Sequence, residues 1–88
     1  MTFKVGDRVR VLSDMWVEGF FGTVIPFPKG LLEEGDRLED CYRVCKNADT
    51  QEEIHTYWVE FDSEQQDLDG DGPYQGGEIC EDELESLT

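Results

Sequence analysis

The chain sets 22 Asp and Glu against seven Lys and Arg in 88 residues, a formal charge of −15. That length supports one small core, and that charge repels phosphate backbones and acidic lipid, which disfavours direct binding to nucleic acid or anionic membranes. No basic-then-apolar leader and no apolar run of roughly 20 residues is present, so neither a signal peptide nor a membrane span is predicted.

Three cysteines, Cys41, Cys45 and Cys80, are an odd number without a secretory signal, and they read as reduced thiols of a cytoplasmic protein. The charge is unevenly spread. Residues 1–30 carry four basic and three acidic side chains, whereas after Lys46 there are fourteen Asp and Glu with no Lys or Arg. Such a surface favours divalent cations and basic protein partners, although acidity can also serve solubility alone.

In chain order, Val9 and Val11 alternate with Arg8 and Arg10 after a Gly6-Asp7 turn, the period-two pattern of a half-buried strand. Residues 13–21 form a loop with Trp16, Phe20 and Phe21. The β-branched Thr23, Val24 and Ile25 make a second strand, which Pro26 and Pro28 stop. Residues 29–40 read as a long connection or short helical excursion. Residues 41–46 read as a strand with Tyr42 and Val44 on one face and Cys41, Arg43 and Cys45 on the other. A turn at residues 47–49 precedes the longest strand candidate, residues 54–62. There Tyr57, Val59 and Phe61 share one face, and Trp58 and Glu60 take the other. An acidic loop, a short strand at residues 78–80, and a tight turn leading to a final strand or helical turn anchored by Leu84 and Leu87 complete the chain.

Short strands, glycine-rich turns and no long amphipathic helix predict an all-β fold. The segments Val5-Gly6-Asp7-Arg8-Val9-Arg10-Val11, Gly19-x-x-Gly22-Thr23-Val24, Tyr57-Trp58-Val59-Glu60-Phe61-Asp62 and Asp82-Glu83-Leu84-Glu85 resemble the small SH3-like barrels. These include KOW domains, the nitrile hydratase β-subunit barrel, and the small barrels of photosystem I and ferredoxin-thioredoxin reductase. The resemblance covers about half the chain and implies an SH3-like barrel of about five strands. Against that pattern residues 29–55 stand as an inserted long connection or hairpin arm, and the chain is expected to end in a short helical turn. It transfers no catalytic residue. The loops that are basic in RNA-binding KOW domains are acidic here, and no nitrile hydratase metal motif is present.

Residues 67–78 match the ligand spacing of an EF-hand calcium loop. Asp67, Asp69 and Asp71 hold the first, third and fifth positions and Gly72 the sixth. Pro73 would offer a backbone carbonyl and Glu78 a closing bidentate carboxylate. Calcium is therefore the candidate ion. A strand, not a helix, precedes the loop, and an acidic hairpin turn uses the same residue types. Cys41, Cys45, His55 and Cys80 could supply a Cys3His zinc set, yet residues four apart on a strand stand about 13 Å apart and cysteine packs readily in cores.

Aromatic residues are favoured at binding hot spots, which singles out Trp16, Phe20 and the outward-facing Trp58. Glu60, Asp62, Glu64, Glu81, Asp82 and Glu83 supply an acidic face around them. One histidine and no nucleophile motif give catalysis no foothold. The sequence thus predicts a non-enzymatic module that binds a basic protein. The alternatives are an immunity-type inhibitor of a basic, nucleic-acid-acting protein, a calcium-binding domain, and a barrel subunit of an enzyme whose active site lies on another chain.

Overall fold

The computed structural model describes residues 3–12, 20–39 and 41–87. Its strands are β1 (Arg8–Val11), β2 (Phe21–Ile25), β3 (Arg37–Glu39), β4 (Tyr42–Lys46), β5 (Glu53–Gln65), β6 (Tyr74–Cys80) and β7 (Leu84–Ser86), with 3-10 turns at Lys29–Leu31 and Glu81–Glu83. They form one antiparallel sheet in the order β3-β4-β5-β2-β1-β7, with β6 paired to β5. The fold is all-β, as the alternation implies. The expected five strands are seven, and the sheet is open, not a closed barrel: among the described strands, β3, β6 and β7 each have a strand neighbour on one side only. The two beyond the expected five are β3, which falls in residues read as connection, and β7 at the C-terminal end; β4 matches the strand expected at residues 41–46, and with β3 it extends the sheet alongside β5.

The 13 residues of β5 organise the rest. One of its edges is bonded by β4 across residues 53–57 and then by β2 across residues 58–61, while β6 takes the other edge. Tyr57, Val59 and Phe61 point to one face and are buried with Val9, Val11, Val24, Ile79 and Leu84. Tyr57 is fully buried, and its hydroxyl accepts the Phe3 N–H at 3.1 Å. Alternation from Tyr42 and Val44 would turn Cys41 away from the core. It precedes β4, escapes the alternation, and enters the core, where its thiol donates to the Phe3 carbonyl at 3.5 Å.

The opposite face is also partly covered. Thr56, Trp58, Arg43 and Glu78 share it by register, and the segment after β2 folds over them. Phe27 meets Trp58 edge-on at 5.9 Å and lies 5.8 Å from the Arg43 guanidinium carbon, and Asp36 pairs with Arg43 at 3.1 Å. This lid buries Thr56 to 4% exposure.

A candidate acidic groove at the β5–β6 end

The turn from β4 into β5 is fixed locally. Asn47 Oδ1 accepts the N–H groups of Asp49 and Thr50 at 2.8 and 3.1 Å, and the Asn47 N–H donates to the Glu52 carbonyl at 2.9 Å. Gln51 takes the left-handed conformation that the turn demands, with φ of 62°. Glu52, Glu53 and His55 are thereby carried past the end of β6. The pairing of Thr56 with Cys80 sets the 3-10 turn Glu81–Glu83 against them.

Between these elements lies a groove of about 500 Å³. Phe3, Ile54 and Leu84 give it apolar lining, and Glu52, Glu53, Glu81 and Asp82 line it with four carboxylates. No Lys or Arg is among the described residues that line it. His55 stands among these carboxylates. Its Nδ1 lies 3.1 Å from Glu81 Oε2, its Nε2 lies 3.7 Å from Glu53 Oε2, and its ring leans on Tyr42 at 4.9 Å between centroids. Arg37 reaches Glu53 at 3.3 Å, so that carboxylate is shared. In a concave, partly desolvated setting, clustered carboxylates focus a negative potential that favours a cationic guest.

Cys80 also lines the groove. Burial, reinforced by the carboxylates of Glu83, Asp82 and Glu78, pushes its thiol up to about 11. It is protonated at neutral pH and is a poor nucleophile. Cys80, Asp82 and Glu83 offer ligand atoms within 4.8 Å of one another, the one such group among the described residues.

The residues of the calcium pattern are placed differently. Asp67 Oδ1 accepts the N–H groups of Asp69 and Asp71 at 3.0 and 2.9 Å, so the first carboxylate of the pattern closes its own turn. Gly70 and Gly72 take positive φ of 85° and 119° there. Pro73 follows in a cis peptide with Gly72. The expected short strand at residues 78–80 begins at Tyr74, because Gly76 lets β6 lie close along β5. Glu78 therefore sits mid-strand. Its Oε2 accepts Thr56 Oγ1 at 2.8 Å and lies 2.8 Å from Arg43 Nε, whose N–H is not aimed at that oxygen, so the Arg43 contact is an ion pair. The cysteine-histidine set does not gather either. Cys41 is in the core and Cys45 points its thiol toward the Ile54 carbonyl at 3.9 Å.

Among the partner-binding candidates, Trp16 lies outside the described residues. Phe20 packs edge-on to Phe61 at 4.7 Å beside the core. Trp58 faces outward as expected and is half-buried beneath Phe27. Glu60, Asp62 and Glu64 are exposed on β5, away from the groove, and Asp62 is held by both terminal nitrogens of Arg8, which keeps its carboxyl below its ordinary value. Glu81, Asp82 and Glu83 form the turn at the groove. Glu52 and Glu53 are the members that the sequence pattern does not single out, and it marks His55 only as a zinc candidate. Their alternation with Ile54 puts 53 and 55 on one face, but only the β5–β6 register reveals what they face.

No family model matches the chain, and no curated protein or solved structure is significantly similar to it.

Proposed function

We propose that this chain is a protein-interaction module that takes a Lys- or Arg-bearing segment of a basic partner into the groove between Glu52, Glu53, Glu81 and Asp82. The observation that carries the reading is the groove itself, with four carboxylates around an apolar lining and no cation among its described lining residues. The apolar wall suits the aliphatic stem of a Lys or Arg, and the carboxylates suit its head. The raised Cys80 thiol argues against a nucleophilic role and favours binding over catalysis. The β1–β7 pairing and the 3-10 turn at Glu81–Glu83 support the finer reading of an SH3-like fold. Inhibition of a basic, nucleic-acid-acting protein is the narrower form of the same function.

Titration calorimetry with a Lys-rich peptide and a Glu-rich peptide of equal length tests the reading at low and high salt. The Lys-rich peptide binds, and added salt weakens it. Glu52→Gln with Asp82→Asn, both at exposed positions, lowers affinity roughly fivefold without changing the circular dichroism. Equal binding of the two peptides, or an unchanged affinity in the double variant, rejects the groove.

A further inference from the structure

Sheet edges invite pairing, and proteins ordinarily blunt them with short strands, Lys, Pro or bulges. Two edges of this sheet are blunted by length, since β3 and β7 have three residues each. β6 is different. It has seven residues, Tyr-Gln-Gly-Gly-Glu-Ile-Cys, with no Lys or Pro; β5 is its strand partner among the described strands, and beyond a register shift between Tyr74 and Gly76 that ladder runs unbroken from Gly76 to Cys80. No backbone hydrogen bond from another described segment reaches residues 75–79.

We infer that the β6 edge accepts an extended basic segment of the partner as an added strand, delivering one of its cationic side chains into the acidic groove. The inference rests on the proposed basic partner and specifies its conformation. Three features select that occupant. Cys80, the last residue of β6, lines the groove, so a strand along β6 leads into it. The edge is bracketed by carboxylates, with Asp67, Asp69 and Asp71 before it and Glu81, Asp82 and Glu83 after it. On the outward face, Glu78 stands beside Trp58 in the register, and the Trp58 indole leans over Gly76, where its Nε1 is 3.2 Å from the place a Cβ would occupy. An indole at a strand edge suits a Lys or Arg through cation–π contact, while Glu78 is already held by Arg43 and Thr56 and leaves that role to Trp58. A second copy of this chain is the wrong occupant, because edge-to-edge pairing would bring the same acidic brackets together.

The test uses the full chain with the peptide Lys-Val-Lys-Val-Lys-Val-Lys and the same peptide with every backbone amide N-methylated. Calorimetry reads affinity, and hydrogen exchange reads the amides of residues 75–79. The expected result is binding of the first peptide, a loss of roughly tenfold or more on N-methylation, and slower exchange at residues 75–79. Equal affinity for both peptides overturns strand addition while leaving a basic-binding groove in place. Binding of neither overturns the basic-partner reading as well. Concentration-dependent dimerisation that protects the same amides without peptide assigns the edge to a second copy and overturns the inference.

Discussion

Gly22 stands where β2 crosses β5 so closely that a Cβ would sit 2.5 Å from Val59 Cγ1 and 2.7 Å from the Glu60 carbonyl oxygen. A side chain can rotate away, but the backbone oxygen is fixed by the β2–β5 ladder. Gly22→Ala should therefore cost about 1–3 kcal/mol of stability, a drop of several degrees in Tm for a domain this small. Gly30, which meets nothing within 4 Å, is the matched control, and Gly30→Ala should leave the thermal midpoint in place. Equal midpoints for the two variants would mean that the crossing yields. The groups with raised pKa values predict a second behaviour. Burial pushes Tyr57 up to about 12, and burial with acidic neighbours pushes Cys80 up to about 11. The folded state holds these protons after the unfolded chain has begun to release them, at ordinary values of 9.0 for the thiol and 10.0 for the phenol. Their contribution is thus complete below about pH 9 and declines as pH rises toward about 12. Urea midpoints measured from about pH 8 to about pH 11 should fall, and Cys80→Ser should flatten the first part of that fall. A level profile would contradict both assignments.

At the level of elements, the loop of residues 67–73 is a turn in which Asp67 does the local work. Its Oδ1 receives two backbone N–H groups, whereas the N–H groups of Asp69 and Asp71 are the donors. Asp67→Ala should cost about 1 kcal/mol, and Asp69→Ala and Asp71→Ala much less, in urea unfolding. Uniform costs would mean that the three carboxylates share one role. The same geometry bears on calcium. Glu78 is engaged by Arg43 and Thr56 on β6, so calcium and magnesium should raise the Tm of the metal-stripped protein alike and only slightly. A saturable rise selective for calcium, worth about 2.7 kcal/mol at a hundredfold excess over Kd, would show that Glu78 leaves Arg43 to close the loop. The elements differ in how far the sequence reveals them. Val9 with Val11, and Tyr57 with Val59 and Phe61, declare their inward face by simple alternation, and Pro26 ends β2 where expected. Arg37–Glu39 carries two charges in three residues and reads as connection; it becomes β3 through its pairing with β4 and the Arg37 ion pairs to Glu39 and Glu53. Gly76 and Gly77 disguise β6 in the same way: together they signal a turn locally, whereas in the fold Gly76 marks close approach to β5. The groove was least legible. It joins residues as far apart in sequence as Phe3 and Leu84, and no local pattern encodes a register.

Across the whole molecule, 22 carboxylates meet seven Lys and Arg, and among the described residues ion pairs engage Arg8, Arg37 and Arg43. Two effects of salt then compete. Screening weakens those pairs, yet the exposed ones of Arg8 and Arg37 contribute little in water, and the Arg43–Asp36 pair, with its side chains 17% and 11% exposed, is screened least. Screening also relieves the repulsion among the excess carboxylates, which destabilises the compact state throughout the chain. The second effect is the larger, because the surplus of negative charge far exceeds the number of pairs. Raising NaCl from about 10 mM to about 300 mM should therefore raise the thermal midpoint by several degrees, levelling off as the Debye length shrinks below the spacing of surface charges. Binding of a basic peptide should move the other way and weaken over the same range, because that attraction lies across a solvated groove. The opposite signs are the discriminating outcome. Were stability and affinity to fall together with salt, the ion pairs would be holding both the fold and the groove, and repulsion within the acidic surplus would be the weaker force.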